Sequence, residues 1–162
     1  MNFDQFNFHP HVRAGMVVLE PGPGMGFFTL ELARLAGPSG RVIAVDAQPR
    51  MLSALRRRAR RAGLLERIET RQAHDGRLGV GDWNGRVDFA LAFAVVHEVP
   101  DAGAFFGEVR AALKPGGRAL VSEPVAHVTE AGFARTLDAA RESGFAVLET
   151  PAIPLSRSAL IG

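Results

Sequence analysis

The sequence predicts an α/β domain, doubly wound around a mostly parallel sheet with helices on both faces, in three layers. Three observations predict it. Short apolar runs alternate with helix-period stretches from Met16 to the C-terminus. The punctuation between them is Gly, Pro and Asp. No internal repeat, low-complexity tract or composition break divides the chain. With 162 residues it has the length of one domain, read as residues 16–162 preceded by an N-terminal segment, 1–15.

Met16 to Leu19 reads as the first strand. Phe28, Leu32, Leu35 and Ala36 then fall on one helical face, and Gly37-Pro38 stops that helix. Val42 to Val45 is the second strand, followed by a helix with Pro49 in its first turn, apolar Met51, Leu52, Leu55, Ala59 and Ala62, and Gly63 at its end. Ile68 to Gln72 is polar enough for a sheet edge, whereas the apolar run through Val87 to Val96 suits the centre. Asp101 is placed to cap a helix carrying Phe105, Phe106, Val109, Ala112 and Leu113, and Lys114-Pro115-Gly116-Gly117 turns the chain into a strand at Ala119 to Ser122. A helix with Phe133, Leu137 and Ala140 ends at Gly144. Phe145 to Leu148 and Ser158 to Ile161 complete the strands.

Composition narrows the chemistry. The chain has no cysteine, which removes disulfides, thiolate metal sites and a cysteine nucleophile and suits a reducing, cytoplasmic setting. Eighteen Arg and one Lys against 17 acids leave a net charge of +2, so the pI near 10.3 reflects arginine's high pKa rather than a large excess of positive charge. The longest apolar run, Phe89 to Val96, is eight residues against about 18 for a membrane span, so no membrane partner is expected. Arg56, Arg57, Arg58, Arg60 and Arg61 have no interleaved aromatic and read as a solvated helix face, so nucleic acid is not expected as a partner. His9-Pro10-His11 lacks a third ligand at a recognisable spacing, and no metal is expected.

In an open parallel sheet the ligand lies beyond the carboxyl ends of the strands, where strand order reverses. After the first strand stands Glu20-Pro21-Gly22-Pro23-Gly24-Met25-Gly26, in which Gly22, Gly24 and Gly26 let backbone N–H groups approach a ligand. A carboxylate at the mouth of that loop suits a ligand with an ammonium group and repels a pyrophosphate. The spacing agrees, since a dinucleotide fingerprint places its third glycine three positions after the second, and position 27 is Phe. Asp46 ends the second strand 20 residues after Gly26, where a carboxylate can accept from both ribose hydroxyls.

With these motifs the chain resembles the class I S-adenosylmethionine-dependent methyltransferases. Val17 to Gly26 is similar to their first motif, Val42 to Asp46 to their second-strand motif, and Val87 to Phe93 with His97-Glu98-Val99-Pro100-Asp101 to their fourth strand and its loop. Leu113 to Gly117 is similar to the turn before their fifth strand. The resemblance implies a seven-stranded Rossmann-like methyltransferase sheet whose sixth and seventh strands are antiparallel at one edge. It implies S-adenosylmethionine as cofactor, with Glu20 and the glycine loop near its methionine part and Asp46 on its ribose. Ala47 and Phe93 join the cofactor site, and adenine lies near His74 and Asp75, either of which could reach its amino group.

His97 and Glu98 are the catalytic candidates, for substrate contact or proton acceptance. Their bland reading is local hydrogen bonding and capping within the loop. After the fourth strand stands Ala94-Val95-Val96-His97 rather than an Asn/Asp-Pro-Pro-aromatic motif, so the resemblance gives no support to base-amine methylation and a small-molecule acceptor is expected. The N-terminal cap is reduced: only Phe3, Phe6 and Phe8 offer apolar material in residues 1–15, as a short lid, a remnant of a cap, or a homodimer contact. Two alternatives accompany this reading: a non-catalytic module that binds S-adenosylmethionine or a partner, and a nicotinamide-dependent oxidoreductase, which Glu20 and the glycine spacing disfavour.

Overall fold

A computed structural model describes residues 9–162. Its strands are β1 (Val17–Pro21), β2 (Arg41–Asp46), β3 (Ile68–Gln72), β4 (Val87–Phe93), β5 (Leu113–Pro124), β6 (Val147–Glu149) and β7 (Ser156–Ile161). Its α-helices are α1 (Phe27–Ala36), α2 (Pro49–Arg61), α3 (Ala102–Ala112) and α4 (Glu130–Glu142). They form one sheet in the order β3-β2-β1-β4-β5-β7-β6. The polar third strand lies at an edge and the apolar fourth in the middle, as expected.

Strands β1 to β5 are parallel, and β7 inserts antiparallel between β5 and β6. The sixth and seventh strands are antiparallel at one edge, as the resemblance implies: β7 is reversed, and β6, antiparallel to β7, runs with the other five. The short connection from β6 to β7 makes them a reversing pair, and β7 takes the inner place, where its apolar Ala159, Leu160 and Ile161 are fully buried.

The faces of the sheet separate by strand alternation. Leu19, Ile43, Val45, Ala90, Ala92 and Val121 pack with Phe105, Phe106 and Val109 of α3 and Phe133 of α4. Val18, Val42, Ala44, Phe89, Leu91 and Leu120 pack with Leu32 and Ala33 of α1 and Leu55 and Ala59 of α2. These are the three layers. The β4–β5 register shifts between Val87 and Phe89. At that irregularity Asp88 accepts the Val17 N–H (2.8 Å) and the Lys114 ammonium (2.7 Å), so a side chain satisfies a backbone donor of β1.

Phe3, Phe6 and Phe8 lie outside the described residues, so the lid, cap and dimer readings do too. The described end of that segment packs on the domain: Val12 is buried with Val18 and Leu32, the Gly15 N–H donates to the Ala36 carbonyl (2.8 Å), and the His11 ring stacks on Phe89 at 5.5 Å. Among the described residues no three His, Asp or Glu side chains converge as a metal site, and no helix is long and apolar enough to cross a membrane. All five arginines of Arg56 to Arg61 are exposed on α2; Arg58 reaches the Met25 carbonyl (3.0 Å) and Arg56 the Thr70 hydroxyl (2.8 Å).

Candidate functional site

Strand order reverses between β1 and β4, and a cavity of about 390 Å³ opens there beyond the carboxyl ends of β1 to β4. Each wall comes from the residues that end a strand.

The first wall is the glycine loop. Pro21 closes β1, the Gly22 N–H crosses to the Val45 carbonyl (2.8 Å), and Gly26, with a φ of 89°, starts α1. A Cβ on Gly22 would lie 2.6 Å from Val95 Cγ2 and 2.8 Å from Val95 Cβ, so packing favours glycine there; one on Gly26 would press only on the end of the Leu55 side chain (Cδ1, 2.2 Å), and the left-handed φ of 89° favours glycine at that position. Gly24 differs. Its φ is 54°, it belongs to the cavity wall, and an added Cβ would meet no atom within 4 Å. The bare backbone at Gly24 therefore borders open space, and Gly26 is not part of the wall.

The second wall carries Asp46 and Ala47. Asp46 Oδ2 accepts the Gly24 N–H (3.2 Å) and Oδ1 accepts the Gln48 N–H (2.8 Å), which ties the loop after β1 to the end of β2. Each carboxylate oxygen retains acceptor capacity for a further donor.

The third wall follows β3. His74 to Arg77 form a tight turn closed by reciprocal backbone bonds (3.2 and 2.9 Å), with Asp75 at φ 51° and Gly76 at φ 72°. Asp-Gly suits such a left-handed pair. The turn places Asp75 in the cavity wall and leaves His74 out of it.

The fourth wall follows β4. The strand stops at Phe93, three residues earlier than the apolar run suggests, because Ala94 turns left-handed (φ 54°) while its N–H holds the Ser122 carbonyl (2.8 Å). Ala94, Val95 and Glu98 line the cavity. Phe93 does not; its ring packs on Phe28 at 4.6 Å. His97 is also outside the wall, behind Glu98, with its Nε2 4.0 Å from Glu98 Oε1.

Glu20 is the largest departure from expectation. β1 extends through it, Glu20 pairs with Ala44, and its carboxyl is 3% exposed on the α1 side of the sheet rather than at the mouth of the loop. Burial pushes it up to about 8; the Thr29 hydroxyl, nearby but outside hydrogen-bond geometry, opposes the rise and the Asp46 charge adds to it. At neutral pH this carboxyl is mostly uncharged until a cation approaches, so it does not act as the standing negative entrance expected. Glu20 Oε2 and Thr29 Oγ1 are buried without a hydrogen-bond partner among the described residues.

One residue escaped sequence reasoning. Glu123, fully buried in β5, accepts the Val96 N–H (2.7 Å) through Oε1 and bonds His97 Nδ1 through Oε2. The signal was present, an acid at the end of an apolar strand, but its partner is 26 residues away.

A doubly wound sheet with a cavity of acids and glycines at its switch point has the form of an α/β ligand-binding domain. A family model described as a methyltransferase domain matches residues 13–148. The chain belongs to the class I S-adenosylmethionine-dependent methyltransferase family, whose cofactor is S-adenosylmethionine. It is 34% identical over 111 residues to the arsenite methyltransferase of Halobacterium salinarum, covering 68% of this chain and 28% of the relative. It is 37% identical over 112 residues to the ubiquinone/menaquinone biosynthesis C-methyltransferase UbiE of Hahella chejuensis, covering 69% and 44%. The chain thus matches less than half the length of these curated relatives. A solved S-adenosylmethionine-dependent methyltransferase from Aquifex aeolicus shares the fold, with a TM-score of 0.82 at 20% identity over 93% of this chain and 83% of that one.

Proposed function

We propose that this chain transfers a methyl group from S-adenosylmethionine to a small-molecule acceptor. The observation that carries the reading is the coupling of Gly24 to Asp46 across the cavity mouth, where bare backbone and a carboxylate with spare acceptor capacity face the same space. The residues present fit the cofactor. Asp46 would hold the ribose hydroxyls, Asp75 the adenine amino group, and Gly22 and Gly24 the methionine part. The orphaned, buried Oε2 of Glu20 offers an acceptor to an ammonium group behind the loop.

Bound there, the cofactor supplies a methyl group already activated on a sulfonium centre. The protein's tasks are then few: hold the acceptor in line, exclude water, and take up a proton where the acceptor carries one. Glu98 lines the cavity with His97 next to it, and the two are the candidates for acceptor contact and proton uptake. Small acceptors accord with the two relatives, an arsenite methyltransferase and a ubiquinone/menaquinone biosynthesis C-methyltransferase.

The test is a screen of tritiated-methyl transfer to a panel of phenols, quinols, amines, thiols and arsenite. His97→Ala is expected to reduce transfer at least 100-fold with unchanged S-adenosylmethionine affinity, on the scale of a lost general base. Full activity in that variant would remove His97 from the mechanism.

A further inference from the structure

We propose that Glu123 is a positioning residue that fixes His97 as a proton acceptor, and that the methyl acceptor therefore attacks through an atom that carries a proton. The proposal rests on the reading of the site as a methyltransferase centre and narrows its substrate to hydroxyl, thiol or N–H compounds.

Two contacts hold the imidazole, and a third residue marks the side its free nitrogen faces. Glu123 is fully buried, and both of its oxygens are engaged: the backbone N–H of Val96 takes Oε1 (2.7 Å), so Oε2 is the atom left for His97 Nδ1. The His127 ring stacks parallel to His97, with centroids 5.6 Å apart and planes within 15°. Nε2 is turned toward Glu98, a cavity-wall residue, at 4.0 Å, too long for a hydrogen bond.

A carboxylate only accepts, so the bond to Glu123 keeps the proton on Nδ1 and leaves Nε2 with its lone pair on the side of Glu98, which is itself a residue of the cavity wall. Val96 makes the arrangement hard to invert, because its N–H is a fixed donor that requires one oxygen of residue 123. The stereochemistry is that of a buried acid orienting a histidine base.

The consequence concerns the acceptor. Methylating X–H releases a proton. The acceptor gives that proton to Nε2 and keeps the electron pair, which forms the bond to the methyl carbon, while the sulfur retains the pair of the bond that breaks. The imidazolium then rests against Glu123 and loses its proton to water through the 24% of its side chain that is exposed. A thioether or tertiary amine has no proton to give and makes no use of such a base.

The experiment is long-range proton–nitrogen NMR of the histidine rings in the full chain without cofactor, with His97→Gln to assign the signals. The neutral wild-type His97 is expected as the Nδ1–H tautomer. In Glu123→Gln, an isosteric change, Val96 N–H keeps the amide oxygen and the amide NH2 faces Nδ1, so the tautomer switches to Nε2–H. S-adenosylmethionine affinity stays within twofold of wild type, and in the tritium screen transfer to any X–H acceptor falls at least 100-fold. An Nε2–H tautomer in the wild type overturns the proposal without need of a variant. So does a Glu123→Gln protein that keeps Nδ1–H, or a product methylated at a thioether at an unchanged rate. Those outcomes leave cofactor binding standing, whereas loss of S-adenosylmethionine binding by the wild type would sink the reading of the site instead.

Discussion

Gly24→Val is expected to abolish S-adenosylmethionine binding in a protein that still folds. The three loop glycines are alike in sequence but unlike in environment. A side chain at position 22 collides with Val95, and one at position 26 presses on the end of Leu55 from a left-handed backbone, so either substitution acts on the fold. At position 24 the Cβ meets nothing within 4 Å, and the intrinsic penalty is the left-handed backbone at φ 54°, roughly 1–2 kcal/mol for a residue with a Cβ. The valine side chain instead occupies space bordering the cavity and blocks the close approach that bare backbone allows. Thermal melting should show a shift of several degrees, and calorimetric titration a loss of affinity of at least 100-fold. Retained affinity would mean that the ligand does not contact this loop.

Glu20→Gln should change both stability and binding, with opposite signs. The folded carboxyl titrates at about 8 against an ordinary value of 4.5. Between those values the folded state holds more protons than the unfolded one, so the wild type loses stability as pH rises from 4.5 through 8, by up to about 4–5 kcal/mol. Glutamine stays neutral, so the variant should gain on the wild type in urea unfolding as pH goes from 5 to 9. Binding runs the other way. An ammonium group reaching Glu20 favours its ionised form, so the wild type should release close to one proton per cofactor bound at pH 7, read from titrations in buffers of different ionisation enthalpy. The glutamine variant should release none from this site and bind about 10- to 100-fold more weakly, the scale of a charged hydrogen bond. Equal affinity and equal proton release would remove Glu20 from the cofactor site.

The fold was legible because its determinants are local or periodic. Strand alternation, the Gly37-Pro38 stop and Asp101, whose carboxylate accepts the Ala104 N–H at 2.9 Å, act within a few residues of themselves. Polarity alone placed β3 at an edge. The insertion of β7 between β5 and β6 depends on which strand buries more apolar surface in the finished sheet, a long-range comparison that no window of sequence contains. The site divides in the same way. Gly24, Asp46, Ala47 and Glu98 follow from position after a strand. Asp75 rather than His74 lines the cavity because Asp75-Gly76 adopts a left-handed pair, a turn whose signal is the Asp-Gly dipeptide itself. β1 ends at Pro21, two residues beyond Leu19, so the Glu20 carboxyl lies on the sheet face behind the loop. The bond between Glu123 and His97 joins separate loops and became visible only with the strands in place.

On the function proposed above, this cavity receives an amino-acid nucleoside with a cationic centre and not a dinucleotide. Calorimetric titration of the full chain with S-adenosylmethionine, its demethylated product and both nicotinamide dinucleotides tests it most directly. One-to-one binding of the first two and no heat from the dinucleotides is expected; binding of a nicotinamide dinucleotide, with S-adenosylmethionine inert, would overturn that reading.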